Sequence, residues 1–225
     1  MKDIIAKFRG GLRHDTLGAA AEVLCARFAG HLGFRTPEPF LVEVGRDFSE
    51  SVPLEAKTLV ERSLGLNFGS GYMGFGLTAL PQELKLNRQQ KKKAAAAFAL
   101  DILIQNYDRK RDNPNMLWDG DEFYLIDHEA AIAPICEAET MGYQMLELDK
   151  FYDHVFFPTI TPADAEFSEV YEALGGISGE VIDGWLSEIP ESWLQGDSRV
   201  TLREYFLWLS ENRGTILNLI RERIA

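Results

Sequence analysis

Asp108, Asn113 and Asp127 are the residues of this chain whose types and spacing could do chemistry together. They lie in Asn106-Tyr-Asp-Arg-Lys-Arg-Asp-Asn-Pro-Asn115 and in Leu125-Ile-Asp-His128. Three oxygen-bearing side chains of this kind suit phosphoryl transfer. One carboxylate orients or deprotonates an attacking hydroxyl, while an amide oxygen and a second carboxylate hold magnesium against phosphates. Magnesium favours such a set because it takes few protein oxygens and keeps water and phosphate in its other positions. Other chemistries find no footing. There is no H-E-x-x-H, no C-x-x-C and no G-x-S-x-G, and Asp119-Gly-Asp121 is too short for an EF-hand loop.

A hairpin must bring these residues together. Asn115–Trp118 and Glu122–Asp127 read as two strands around a turn at Asp119-Gly120-Asp121. Asp-Gly between apolar runs is a strong hairpin signal, because the turn needs positive φ. Paired residue numbers should then sum to about 239–241, which sets Asn113 almost opposite Asp127. Asp108 lies in the polar loop that leaves a long helix, predicted from Gln82 or Asn87 to Asn106, with Phe98, Ile102 and Leu103 or Gln105 on its inner face. Taken singly, Asp and Asn are common loop residues and Asp127 could cap a turn. The three together, in one register, point to a site. Arg109 reads as a structural salt-bridge residue, Asn115 as a turn or strand-start residue, and His128 as packed or as an orienter of its loop.

Residues 3–8 read as a strand ended by Gly10-Gly11. Leu17, Ala20, Ala21, Leu24, Phe28 and Leu32 recur at helical spacing, with Asp15 as cap and Gly33 as stop. Phe40–Val44 is a second strand, and residues 54–64 are helical. Phe68-Gly-Ser-Gly-Tyr-Met-Gly-Phe-Gly76 reads as a connecting loop. It contains a literal G-x-G-x-x-G at 69–74 but lacks the strand–helix flanks of a dinucleotide site. The rest is mostly helical. Thr161-Pro162 and Ser178 are predicted helix starts, and Thr201-x-x-Glu204 a capping box opening the last helix. The expected organisation is a small strand–helix–strand part over residues 1–70 and a helix-rich part with the hairpin over 71–225.

The bulk properties set outer limits. The 225 residues carry a formal charge of −12 and are 46 % hydrophobic, with 25 aromatic side chains available for a core. So negative a chain repels nucleic-acid phosphate and anionic lipid, so direct nucleic-acid binding and membrane association are not expected. Two cysteines, Cys25 and Cys136, form no metal or redox motif and fit a reducing cytoplasm. No signal-peptide pattern and no apolar run of bilayer length is present.

The segments Asp101-Ile-Leu-Ile-Gln-Asn-Tyr-Asp-Arg109, Asn113-Pro-Asn-Met-Leu117 and Leu125-Ile-Asp-His-Glu-Ala-Ala131 resemble the HipA-like kinases, in particular their short branch within the protein- and lipid-kinase superfamily. Ala6-Lys-Phe8 with the Ala-rich helix after it, Leu32-Gly-Phe-x-x-Pro37 and Phe68-Gly-Ser70 are similar as well. The likeness covers most of residues 5–135, and Ile189-Pro-x-x-Trp193 extends it into the C-terminal helices. It implies an α+β, protein-kinase-like two-lobe fold with a reduced N-lobe and a mostly helical C-lobe. It implies ATP and Mg²⁺ as cofactors and a protein Ser/Thr hydroxyl as acceptor. Asp108 would be the catalytic base, and Asn113 and Asp127 the magnesium ligands. Lys7 would contact the ATP phosphates, and Glu22, fifteen residues on, would pair with it.

The resemblance also implies a toxin-type role beside an antitoxin partner. Only six residues precede Lys7, too few for the hairpin that carries a kinase nucleotide loop. Three expectations follow: the chain begins late, a partner chain completes the N-lobe, or the protein manages without the loop. A binding module with an impaired kinase fold and a small-molecule phosphotransferase are the alternative readings.

Overall fold

Strand and helix signals near the N-terminus resolve into one small sheet backed by one buried helix. The computed structural model describes residues 3–81 and 83–224. Strand β1 (Ile4–Lys7) leads through a turn at Arg9–Gly11 to helix α1 (Asp15–His31). Strand β2 (Pro39–Val44), two short helices α2 (Arg46–Ser51) and α3 (Leu54–Glu61), and strand β3 (Gly65–Gly71) follow. The sheet is antiparallel in the order β1-β3-β2.

The central strand occupies part of the segment expected to be a loop. Residues 65–70 pair with β2 and residues 68–71 with β1, and only the residues after Gly71 link the two sheets. Glycine usually weakens a strand, but here it permits close packing. A Cβ on Gly69 would come within 2.6 Å of Val42 Cγ2 and 2.8 Å of Ile4 Cγ2. The α1 cap also differs from expectation. His14 holds the cap position without a side-chain hydrogen bond, and Asp15 is the first helical residue, at φ 47°. Gly33 ends the helix as its type predicts, at φ 83°, with the Phe34 amide returning to the Ala29 carbonyl.

Strand β4 (Thr78–Ala79) and the hairpin strands β5 (Met116–Trp118) and β6 (Phe123–Leu125) form a second sheet in that order. Met116 faces Leu125, so paired numbers sum to 241, the upper end of the predicted register. Gly120 has φ 107°, and the Asp119 carboxylate accepts the amides of Asp121 and Glu122. Before the hairpin runs α4 (Arg88–Leu103). Asn87 and Gln90 form its capping box, which fixes the later of the two predicted starts; Gln82 lies outside the described residues.

Helices α5 (Ala133–Glu137), α6 (Ser168–Gly175), α7 (Gly179–Ser187) and α8 (Ser198–Ile224) complete the chain. Ser178 caps α7 through the Val181 amide. Two predicted starts are displaced. Thr161-Pro162 opens a turn, because the Asp164 carboxylate closes back on the Thr161 amide at 2.9 Å. The last helix begins at Ser198, so Thr201 is already inside it, bonded to the Asp197 carbonyl. Helix α8 packs against α4, α5, α6 and α7. The second half of α4, Ala97 to Leu103, is buried on every side and forms the centre of the core. A helix buried all round is a rigid base for whatever leaves its end. Among the described residues no helix is long and apolar enough to cross a membrane.

Candidate active site

Asp101 lies in the middle of the most apolar stretch of α4 and is fully buried. A lone carboxylate there would be untenable, so it collects partners. Arg109 Nε donates to Asp101 Oδ2 at 2.6 Å, His154 Nε2 lies 2.9 Å from the same oxygen, and Asn106 Nδ2 donates to Oδ1 at 3.1 Å. The Phe156 amide donates to His154 Nδ1, so the proton of a neutral imidazole sits on Nε2 and points at Asp101. Burial would push the Asp101 carboxyl up, but the Arg109 charge and the His154 hydrogen bond hold it below the usual carboxylate range. Burial pushes the His154 imidazole down despite Asp101, which agrees with the neutral tautomer.

This buried cluster shapes the loop above it. Arg109 also donates to the carbonyls of Asn115 and Ile126, the latter at 3.2 Å. One guanidinium thus ties the end of α4 to both hairpin strands. The loop turns out of the helix through Gln105, at φ 57°, whose side chain caps the Ile102 carbonyl at 2.7 Å. The Asn106 side chain accepts the Asp108 amide at 3.3 Å.

Asp108 emerges from this base with its side chain about one quarter exposed. Its Oδ2 accepts from Asn113 Nδ2 at 3.1 Å, and Asn115 Nδ2 is 3.5 Å away. Arg13 Nη2 lies 3.2 Å from Oδ1. Asn115 is in the left-handed region at φ 46°, a conformation asparagine tolerates, and that bend turns its amide toward Asp108.

Asp127 follows β6 and is likewise left-handed, at φ 60°. A non-glycine residue held there is strained, and such strain gathers at functional sites. Lys7 Nζ lies 2.8 Å from Asp127 Oδ1 and 2.5 Å from Glu22 Oε1. The Asp127 contact is an ion pair without good hydrogen-bond directionality, so Oδ1 is buried with no aligned donor. Asn113 turns its amide nitrogen to Asp108 rather than to Asp127, which leaves its amide oxygen outside that bond. A buried carboxylate oxygen met only by the Lys7 ammonium and an uncommitted amide oxygen are hard ligands that fit Mg²⁺.

Glu22 is buried and accepts the His128 amide at 2.9 Å. Burial would raise its carboxyl, but the His128 imidazole 3.7 Å away and the Lys7 ammonium pull it down to about 2. Burial lowers and Glu22 and Asp127 raise the Lys7 ammonium, with a net shift upward. The pair is therefore charged at neutral pH. Because the Glu22 carboxyl sits below its ordinary 4.5, its stabilisation is complete above that pH and is lost as pH falls toward 2. Over that window wild type should lose roughly 3 kcal/mol that Glu22→Gln does not lose. Urea unfolding of both proteins at stepwise pH measures the difference, and parallel pH curves would contradict it.

A cavity of about 340 Å³ adjoins Lys7, Glu22 and Asp127. Ile5, Phe68, Leu117 and Leu125 give it apolar walls, and residues 70–74, from the end of β3 into the link between the sheets, line it as well. Mostly apolar walls with charges at one end suit a ligand with a flat apolar part and an anionic tail. Another concavity, near Lys92, Glu166 and Glu122, is crossed by the ion pairs Lys92–Glu166 and Lys93–Glu122.

The structure brings Asp108 next to Asn113, and Lys7 next to both Glu22 and Asp127. Arg109 is a structural salt-bridge residue, as its type and loop position predict. His128 is packed, with its backbone amide on Glu22. Asp101, His154 and Arg13 were not legible as site residues. Asp101 had a signal, a charge inside Phe98-Ala-Leu-Asp-Ile-Leu-Ile104 with an arginine eight residues on. His154 had none, since only the tertiary fold brings it to Asp101.

A family profile described as HipA-like kinase matches residues 9–213. No curated protein matches the chain. The crystal structure of the Helicobacter pylori proinflammatory kinase CtkA superposes with a TM-score of 0.53 at 13 % identity, covering 99 % of this chain and 90 % of that one. That likeness shows the fold, a kinase-like arrangement with a reduced N-terminal lobe. Since the profile spans nearly the whole chain, the protein belongs to the HipA-like kinase family.

Proposed function

We propose that the protein is an ATP- and Mg²⁺-dependent kinase that phosphorylates a Ser/Thr hydroxyl of a protein substrate. The observation that carries this reading is the Lys7 ammonium, held by Glu22 and Asp127 at the charged end of an apolar-walled cavity. In that reading Ile5, Phe68, Leu117 and Leu125 would hold the adenine, and Lys7 would face the phosphates. Glu22 fixes the lysine's position so that its charge faces the phosphates. Asn113 and Asp127 would hold the metal through their oxygens. Bound Mg²⁺ neutralises charge on the phosphate oxygens. Asp108, on its rigid base, orients the acceptor hydroxyl and takes its proton.

The division at residues 1–70 and 71–225, with the link between the sheets as its hinge, belongs to this reading. So does a cytoplasmic location, which the two free cysteines fit. A toxin-type role, with an antitoxin or a partner chain completing the N-lobe, is its biological extension.

The test is direct. Purified protein incubated with γ-labelled ATP should place label on serine or threonine, of itself or of a protein acceptor, only when Mg²⁺ is present. Label on amino alcohols or sugars alone would shift the assignment to a small-molecule phosphotransferase. No transfer to any acceptor would leave a binding module.

A further inference from the structure

Arg13 has no part in the set above. It lies in the turn between β1 and α1, so the same short segment runs from Lys7 to Glu22 and passes Asp108 on the way. The turn is a built structure. The Arg9 amide donates to Asn67 Oδ1 at 2.9 Å, and the Gly10 amide to Ser63 Oγ at 3.1 Å. A Cβ on Gly10 would come within 2.8 Å of Arg62 Cβ, so glycine is needed for that approach. On the other side the Arg13 backbone amide faces the Glu129 carboxylate, two residues past Asp127. Helix α1 presses on the same segment at Gly18, where a Cβ would stand 3.4 Å from the Glu129 carbonyl oxygen.

The backbone of Arg13 is thus fixed beside Asp127–Glu129, while its side chain is 56 % exposed. One ion pair, to Asp108 Oδ1 at 3.2 Å, orients it. Three other cations of this region are committed elsewhere. Lys7 is held by two carboxylates, Arg109 is buried, and Arg9 donates to the Leu64 carbonyl.

A hydroxyl held by Asp108 lies about 3 Å from the carboxylate and about 3–3.5 Å from the phosphorus it attacks. A guanidinium touching Asp108 is therefore within a rotamer change of the oxygens of that phosphoryl group. Its planar fork matches phosphate geometry, and a triphosphate offers more negative charge than one carboxylate.

We propose that Arg13 moves from Asp108 to the γ-phosphate when Mg·ATP binds and stabilises the charge of the transferring group as a catalytic residue. This rests on the kinase reading, with Asp108 at the transfer end. The move does two things at once. It puts a positive charge on the phosphoryl oxygens and frees the Asp108 carboxylate for the hydroxyl. The acceptor oxygen bonds to the γ-phosphorus, the bond from that phosphorus to the β–γ bridging oxygen breaks, and ADP leaves with the electron pair. The hydroxyl proton passes to Asp108, and Arg13 keeps its own protons.

Calorimetry with Mg·ATP and Mg·ADP, beside single-turnover transfer at saturating ATP, tests this on wild type, Arg13→Ala and Arg13→Lys. Arg13→Ala should bind ADP within about twofold of wild type, bind ATP about tenfold more weakly, and transfer about 10³-fold more slowly. Arg13→Lys should recover most of the ATP affinity but only part of the rate, because a point charge replaces the fork. Since the lysine variant keeps the charge and the side chain is exposed, its partial rescue separates this role from a folding defect. Unchanged ATP affinity and transfer in Arg13→Ala would overturn the proposal. Faster transfer would also overturn it, and would make the arginine a block on Asp108. Wild-type protein that binds neither nucleotide would overturn the kinase reading and Arg13's part together.

Discussion

Replacing Asp108 by asparagine should lower phosphoryl transfer about 10²–10⁴-fold without disturbing the fold or weakening Mg·ATP binding. The range is the usual contribution of one positioned proton acceptor. Asparagine keeps the size of the side chain and can still accept from Asn113 Nδ2, so the loop keeps its shape. The variant loses the negative charge that takes a proton, and with it the ion pair to Arg13. That pair is more than half exposed on the arginine side, so its loss costs little stability. Asp108 faces Arg13 and two asparagines rather than the Lys7 end of the cavity, which is why nucleotide affinity should hold. Single-turnover transfer at saturating ATP is the measurement. A variant within tenfold of wild type would remove Asp108 from the proton-accepting role.

Arg109→Met should destabilise the protein by about 3–5 kcal/mol, the cost of leaving a buried charge without its partner. Asp101 would keep His154 and Asn106, but both are neutral donors. The carbonyls of Asn115 and Ile126 would also lose their shared donor. Those two residues flank the Asp108 contact and Asp127, so the site should loosen along with the core. Asp101→Asn in the same protein should recover part of the loss, because it removes the charge and keeps an acceptor for His154. A coupling between the two substitutions is the signature of a direct pair. Urea unfolding of the four proteins gives both quantities. Additive effects, or a cost below about 1 kcal/mol for Arg109→Met, would show that the guanidinium is not what holds the loop.

Much of the site could be read from residue order alone. The hairpin was legible because Asp-Gly in a tight turn has one dominant physical use, and the strands pair within the register it predicts. The Lys7–Glu22 pair was legible only through family resemblance, since a strand lysine and a helix glutamate carry no local sign of meeting. The central strand β3 was hidden by its own glycines, which read as a loop until Val42 and Ile4 are seen to close over Gly69. The early start of α8 was hidden by a capping pattern inside the helix, where tertiary packing on α4 and α6 outweighs the local signal. Arg13 and His154 were invisible for another reason. Each reaches its partner across the fold, ninety-five residues away for Arg13 and fifty-three for His154.

The central claim is that Asp108, Asn113 and Asp127 form a magnesium-dependent nucleotide site. Calorimetric titration of ATP into wild type and Asp127→Asn, with and without Mg²⁺, tests it most directly. Wild type should bind ATP at least about tenfold more tightly with Mg²⁺ than without, and Asp127→Asn should lose that difference, since it gives up the charged metal ligand. Equal dependence on Mg²⁺ in the two proteins, or ATP binding that ignores the metal in wild type, would contradict the account.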